Sequence, residues 1–261
     1  MDLLSIYKTH LKLIDGILIS NIEEYPGFLV IKSHLNDNWY DSITITNPSL
    51  VNWDNLRSNA NQLKENRIDY ALYFPLEFLK DLEPRIGSTF KRVGGDSYLV
   101  LKKVSNISNP TTSELVIKPV SIKNFSDYKD LINEIHGKEM GWPAASSFGD
   151  RMFKVQESNL YSEKKVELFV AYYEGIPVGY SSSITSKELN ITYLTASGVL
   201  SKYRGKGIYT QMVSSTLSTA KEQGIDSAYV ITGQESKSWN VARRLGYEEI
   251  GRFEYYLPNS I

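Results

Sequence analysis

One junction constrains the fold of this chain more than any other stretch: Val199-Leu200-Ser201-Lys202-Tyr203-Arg204-Gly205-Lys206-Gly207-Ile208-Tyr209. The apolar run Ile191 to Leu200 reads as a strand and ends there. A helical pattern begins there, with Ile208, Met212, Leu217 and Ala220 on one side and Gly224 as its stop. Between them, Arg-Gly-Lys-Gly makes an anion cradle. Glycines admit backbone conformations and close approaches that a Cβ would block. The first helical turn leaves N–H groups without intrahelical partners, and the helix dipole adds partial positive charge in front of them. Arg204 and Lys206 add formal charge. A phosphate or pyrophosphate is the natural occupant, although four such residues also occur in ordinary loops.

Composition narrows the partners. The 261 residues carry 29 basic and 30 acidic side chains and a net charge of −1, which gives no electrostatic case for nucleic acid or an anionic membrane. With no cysteine, thiol catalysis, disulfides and thiolate metal sites are excluded. The three histidines, His10, His34 and His136, have no metal-ligand spacing, and no metal is expected. The first residues mix Asp2, Lys8, His10 and Lys12 with apolar ones, and no later run approaches a membrane span. The expectation is a soluble cytoplasmic protein.

In chain order, the patterns predict a helix over 3–14, strands over 17–22 and 28–31 around a Glu-Glu-Tyr-Pro-Gly turn, and a strand over 42–46. A helix over 53–65, a strand over 70–74 and a short helix over 76–82 stopped by Pro84 follow. Strands 90–93 and 98–102 flank Gly94-Gly95-Asp96, a hairpin signal. The polar stretch 105–113 reads as a linker. Beyond it come a strand over 115–118, a helix over 124–135, irregular chain from Gly137 to Asp150 around Gly141-Trp142-Pro143, and helix over 151–160. Strands 168–173, 178–183 and 189–199 lead into the cradle, and strand 228–232, helix 237–245 and strand 249–256 complete the chain.

Residues 115–261 resemble the GNAT superfamily of acyl-CoA-dependent N-acyltransferases. The family motif is Gln/Arg-x-x-Gly-x-Gly/Ala. Arg204 and Gly207 match its first two fixed positions, while the third falls on Tyr209. The element order is the GNAT order, and Arg244-Leu245-Gly246-Tyr247 is similar to the family's Lys-Leu-Gly-Phe. The resemblance implies an α/β (α+β) GNAT fold with a central mixed, mostly antiparallel sheet flanked by helices. It also implies acetyl-CoA as acyl donor, with Arg204, Gly205, Lys206, Gly207, Ile208 and Tyr209 at its pyrophosphate and Ser197, Gly198 and Val199 offering main-chain groups to its pantetheine. The acceptor is an amine of a small molecule or peptide. The alternative is a non-catalytic acyl-CoA-binding regulatory module. A nucleotide-binding reading is weaker, since Gly-Lys-Ser/Thr is missing.

An alkyl amine with a pKa of ~10.4 needs a base at neutral pH. Glu134, His136, Glu139 and Asp150 lie in or beside the irregular segment that borders the acceptor cleft in the family. Glu139 and Asp150 are the candidate catalytic carboxylates, and Trp142 either lines an acceptor pocket or packs in a core. The tyrosine that protonates the leaving thiolate in many members falls here on Ala242. Tyr209, Tyr203, Tyr255 or Tyr256 can substitute, with Tyr209 the first choice. The family's frequent asparagine falls on Glu235, and Ser238 reads as a cap.

The sequence also repeats itself. Lys64-Glu65-Asn66-Arg67-Ile68-Asp69-Tyr70-Ala71 parallels Lys221-Glu222-Gln223-Gly224-Ile225-Asp226-Ser227-Ala228, each at a helix end entering a strand. Residues 1–112 are therefore expected to form a smaller, degenerate GNAT-like domain before an acetyltransferase domain at 113–261. Where the second copy has its cradle, the first has Asn47-Pro48-Ser49-Leu50-Val51-Asn52, without glycine or a cation.

Overall fold

The computed structural model describes residues 2–104, 114–158 and 163–259. The expected linker, 105–113, and the end of the expected 151–160 helix lie outside the described residues. Two compact units divide the chain: Met1–Leu99 with Thr232–Asn240 and Glu249–Ile261, and Val100–Ile231 with Val241–Glu248.

The first unit opens with α1 (Leu3–Ile14), whose first turn is capped by Asp2 accepting from Ser5 N at 2.8 Å. Strands β1 (Ile19–Tyr25) and β2 (Phe28–Ser33) form an antiparallel hairpin, and β3 (Ser42–Ile45) pairs antiparallel with β2. A 3₁₀ turn at Pro48–Leu50 leads to α2 (Trp53–Glu65), after which β4 (Ala71–Pro75) returns parallel to β3. Two-residue alternation puts Phe28, Val30, Ile43, Ile45, Leu72 and Phe74 into one core with Leu56 and Leu63 of α2. Then follow α3 (Leu79–Ile86) and β5 (Phe90–Leu101).

Two elements differ from their sequence patterns. The helix expected to stop before Pro84 runs through it to Ile86, after a 3₁₀ turn at Leu76–Phe78. Burial of Leu82 and Ile86 against the core outweighs the one backbone bond that proline cannot make. Gly94-Gly95-Asp96 is no hairpin, since β5 continues through it. The glycine serves a close approach instead: a Cβ on Gly95 would lie 3.0 Å from the carbonyl oxygen of Phe253.

The second unit begins with β6 (Leu115–Pro119) and α4 (Phe125–Ile132). The helix continues as a π-helix over Asn133–Glu139, and α5 (Ala145–Ser158) follows, so only 140–144 of the expected irregular stretch lacks helix. Strands β7 (Lys164–Tyr173), β8 (Ile176–Ser186) and β9 (Ile191–Val199) form with β6 an antiparallel run. After a 3₁₀ turn at Ser201–Tyr203 come α6 (Ile208–Glu222), β10 (Ser227–Gly233) and α7 (Lys237–Arg244). β10 is parallel to β9. The last strand, β11 (Glu248–Pro258), pairs antiparallel with β4 from Phe253↔Pro75 to Tyr256↔Leu72. Compactness in space thus assigns Glu249–Ile261 to the first unit, unlike the linear division at 112/113.

The repeat has a structural counterpart. Both copies run strand, 3₁₀ turn, helix, parallel strand, helix, strand. The two long helices end alike. In α2, Arg67 N donates to Lys64 O at 2.9 Å and Ile68 N to Leu63 O at 2.9 Å; in α6, Gly224 N donates to Lys221 O at 2.9 Å and Ile225 N to Ala220 O at 3.1 Å. Arg67 and Gly224 both take positive φ, 55° and 81°. The shared Lys, Glu, Ile and Asp therefore mark one helix-ending turn made twice.

Candidate functional site

The cradle lies between β9 and α6. Strands β9 and β10 pair only from Ile191↔Ser227 to Leu194↔Val230, so Thr195–Val199 continue without β10 beside them. At the same place β9 is irregular against β8: Ser181 faces Ser197 but Ser183 faces Leu194. The extra residue is a β-bulge, which bends the strand and turns its end away from the neighbour it has just left. Side chains there hold the bend, with Ser182 Oγ 2.7 Å from Thr195 Oγ1 and donating to Ala196 O at 2.8 Å.

Beyond the bulge, Gly205 and Gly207 take φ of 84° and 76°. Gly207 is the N-cap of α6, and no side chain caps the helix. The first bond inside the helix is Gln211 N to Gly207 O, 3.1 Å, which leaves the N–H groups of Ile208, Tyr209 and Thr210 ahead of it. Space in front of Gly205 is open, and the nearest side-chain atom to a Cβ on Gly207 would be Gln211 Nε2 at 4.0 Å. The corresponding position of the first copy is closed. There Asn52 Oδ1 accepts from Asp54 N and Asn55 N, both 3.1 Å, so a side chain fills the anion position.

The two cations of Arg-Gly-Lys-Gly are engaged. Lys206 Nζ sits 4.6 Å over the Tyr173 ring. Arg204 Nε donates to Val199 O at 2.8 Å, and its Nη2 pairs with Glu139. The Arg204 hydrogen bond foremost holds the Glu139 carboxyl below the ordinary carboxylate range. Glu139 is therefore placed to fasten the cradle turn and poorly placed to take a proton. Asp150 is exposed on α5 and pairs with Lys129 of α4 at 2.8 Å. Tyr209, half-buried, packs beside Tyr203 against the Val199, Ile208 and Met212 cluster. Among the described residues, the buried hydroxyl of Tyr247 has no hydrogen-bond partner.

His136 lies against the end of β9, beside Gly198. It is on the π-helix, with Nδ1 in contact with Tyr180 Oη. Tyr180 pairs with Gly198 across β8 and β9. Gly198 must be glycine: its Cβ would lie 2.7 Å from Ile135 Cγ2 and 3.5 Å from His136 Cε1. Trp142 packs against His136, ring centroids 6.0 Å apart and nearly perpendicular, and donates its backbone N–H to His136 O at 2.8 Å. It is only 8% exposed, so it buttresses the histidine. Burial, then the Arg204 charge, pulls the His136 imidazolium down to about 4. The π-helix that sets this ring inward leaves no periodicity in the sequence, so nothing there separates His136 from Glu134, Glu139 and Asp150. Nothing in the strand pattern marked Tyr180.

Residues 130–247 match the acetyltransferase (GNAT) family model, and that stretch holds the bulge, the cradle and the π-helix. Residues 130–247 belong to the GNAT superfamily. Solved structures agree on its fold. A GCN5-related N-acetyltransferase from Kribbella flavida superposes with a TM-score of 0.71 at 12% identity, over 98% of this chain and 95% of its own. A functionally unknown conserved protein from Staphylococcus epidermidis ATCC 12228 gives 0.69 at 17% identity, over 95% and 98%. A tandem GNAT protein from the clavulanic acid biosynthesis pathway gives 0.61 at 10% identity, over 88% and 77%. A search of curated proteins found no match. The GNAT fold thus extends over nearly the whole chain, first unit included. Among the described residues no cluster of three or more His, Asp or Glu side chains could hold a metal, and no helix is long and apolar enough to cross a membrane.

Proposed function

We propose that this GNAT protein transfers an acetyl group from acetyl-CoA to an amine of a small molecule or peptide by direct attack. The observation that carries the reading is the uncapped N-terminus of α6 behind two left-handed glycines. The family that residues 130–247 match supports acyl transfer. The N–H groups of Gly205 to Tyr209 hold the pyrophosphate, with Lys206 available from the Tyr173 ring. Ser197, Gly198 and Val199 border the pantetheine where β10 leaves β9. Charge-assisted bonds of this kind contribute about 1.5–3 kcal/mol each. Residues 1–112 descend from the same fold but hold no cofactor, because Asn52 occupies the corresponding helix end.

Thiol release from acetyl-CoA with a panel of amines tests the reaction, and calorimetry on Gly207→Glu tests the cradle. The variant puts a side chain and a negative charge at the pyrophosphate and should abolish binding. Unchanged affinity in a folded Gly207→Glu protein overturns the cradle. Acetyl-CoA binding without release for any amine replaces the enzyme by the non-catalytic acyl-CoA module.

A further inference from the structure

We infer that His136 is the catalytic residue that takes the proton from the attacking amine, and that Tyr180 positions it. The inference rests on the acetyl-transfer reading above. Of the candidate bases, Glu139 is bound by Arg204, and Asp150 by Lys129. His136 has no such cationic partner among its contacts and sits against Gly198, beside the bulge where β9 parts from β10. π-Helical turns are rare and concentrate at functional sites. Here the widened turn does two things: it seats the imidazole on the strand, and it brings Glu139, three residues on, to Arg204.

The tautomer decides the role. With Nδ1–H donating to Tyr180 Oη, the Nε2 lone pair is the acceptor. The amine nitrogen bonds to the thioester carbon, the carbon–sulfur bond breaks with its electron pair on sulfur, and one amine proton moves to Nε2. The resulting imidazolium returns that proton to the thiolate, whose conjugate acid has a pKa of ~8.5, so His136 is neutral again and the free thiol leaves. One group thereby supplies both the base and the acid that Ala242 cannot.

The charged and titratable groups around His136 come from four parts of the fold. Tyr180 reaches it from β8, with Tyr128 of α4 edge-on behind at 5.3 Å. Glu139 lies on its own π-helix, and Arg204 on the cradle. Burial and Arg204 both keep the imidazole neutral at working pH, as a proton acceptor must be. The phosphates of acyl-CoA bring negative charge towards Arg204, which weakens that second influence and makes His136 more basic when the donor is bound.

The intact protein tests this in two ways. Nitrogen-15 spectra of its three histidines should show His136 as the Nδ1–H tautomer at pH 7, with a pKa that rises when CoA is added. An Nε2–H tautomer overturns the inference. In steady-state assays, His136→Phe should lower kcat by about 100-fold or more with the acetyl-CoA Kd changed less than about threefold, and Tyr180→Phe should lower kcat by about tenfold. Unchanged kcat in both variants, with the wild type active, strikes the inference alone. A wild type that acetylates no amine in the panel strikes both this and the acetyl-transfer reading.

Discussion

Arg67 pays a backbone cost that its counterpart avoids. It takes φ of 55° where the second copy has Gly224 at 81°. A side chain in the left-handed region costs about 1–2 kcal/mol, partly offset by the greater freedom glycine has when unfolded. Arg67→Gly should therefore raise stability by roughly 0.5–1 kcal/mol, read as a higher urea midpoint. Buried titratable groups set the pH response. His10 is pulled down to about 3 by burial, and His136 to about 4. Both folded values lie below the ordinary 6.5, so their contribution is intact above that pH and is lost as pH falls through 6.5 towards 4. Asp96 works oppositely: burial raises it from 3.8 to about 6, although Tyr73 donates to it at 3.1 Å. Its carboxylate costs stability above about pH 6, and the cost vanishes below 3.8. Asp96→Asn should thus be more stable than wild type at pH 8 and equal to it at pH 3.5. A difference that grows on acidification would contradict this assignment.

Elements were legible in proportion to how local their causes are. α2 over 53–65 and the cradle helix were readable from spacing and stop signals, because apolar periodicity and helix-ending residues act within a few positions. The continuous β5 was not, because Gly95 is glycine on account of Phe253, far away in sequence. Nor was the π-helix, which depends on Gly198 allowing Ile135 and His136 to approach β9. The cradle was legible for the same local reason as the helices, but not the engagement of its cations: Glu139 is 65 residues from Arg204, and the pairing is made by the fold. Gly198→Ala tests that dependence. Its methyl group would meet Ile135 at 2.7 Å, so the π-helix must shift. The expected result is a loss of about 1–3 kcal/mol by overpacking, with the Tyr180–His136 contact disturbed. A fully stable Gly198→Ala protein with an unchanged His136 resonance would show that the fit is slack.

For the whole molecule, the last strand matters as much as the repeat. β11 completes the sheet of the first unit beside β4, so a 1–112 fragment lacks part of its own unit. Deleting 249–261 should unfold the first unit and expose Tyr73 and Phe74, which β11 now covers through Phe253 and Tyr256, the ring pairs lying 4.6 and 5.3 Å apart. Near-ultraviolet circular dichroism would register that loss, and an unchanged spectrum would contradict it. On the proposed reading, one copy of the fold keeps an anion cradle and the other fills that position with Asn52. Titrating the intact chain with acetyl-CoA measures this directly. Saturation is expected at one molecule per chain, abolished by Gly207→Glu and unaffected by Asn52→Ala. Two molecules per chain, or one molecule still bound by Gly207→Glu, would contradict it.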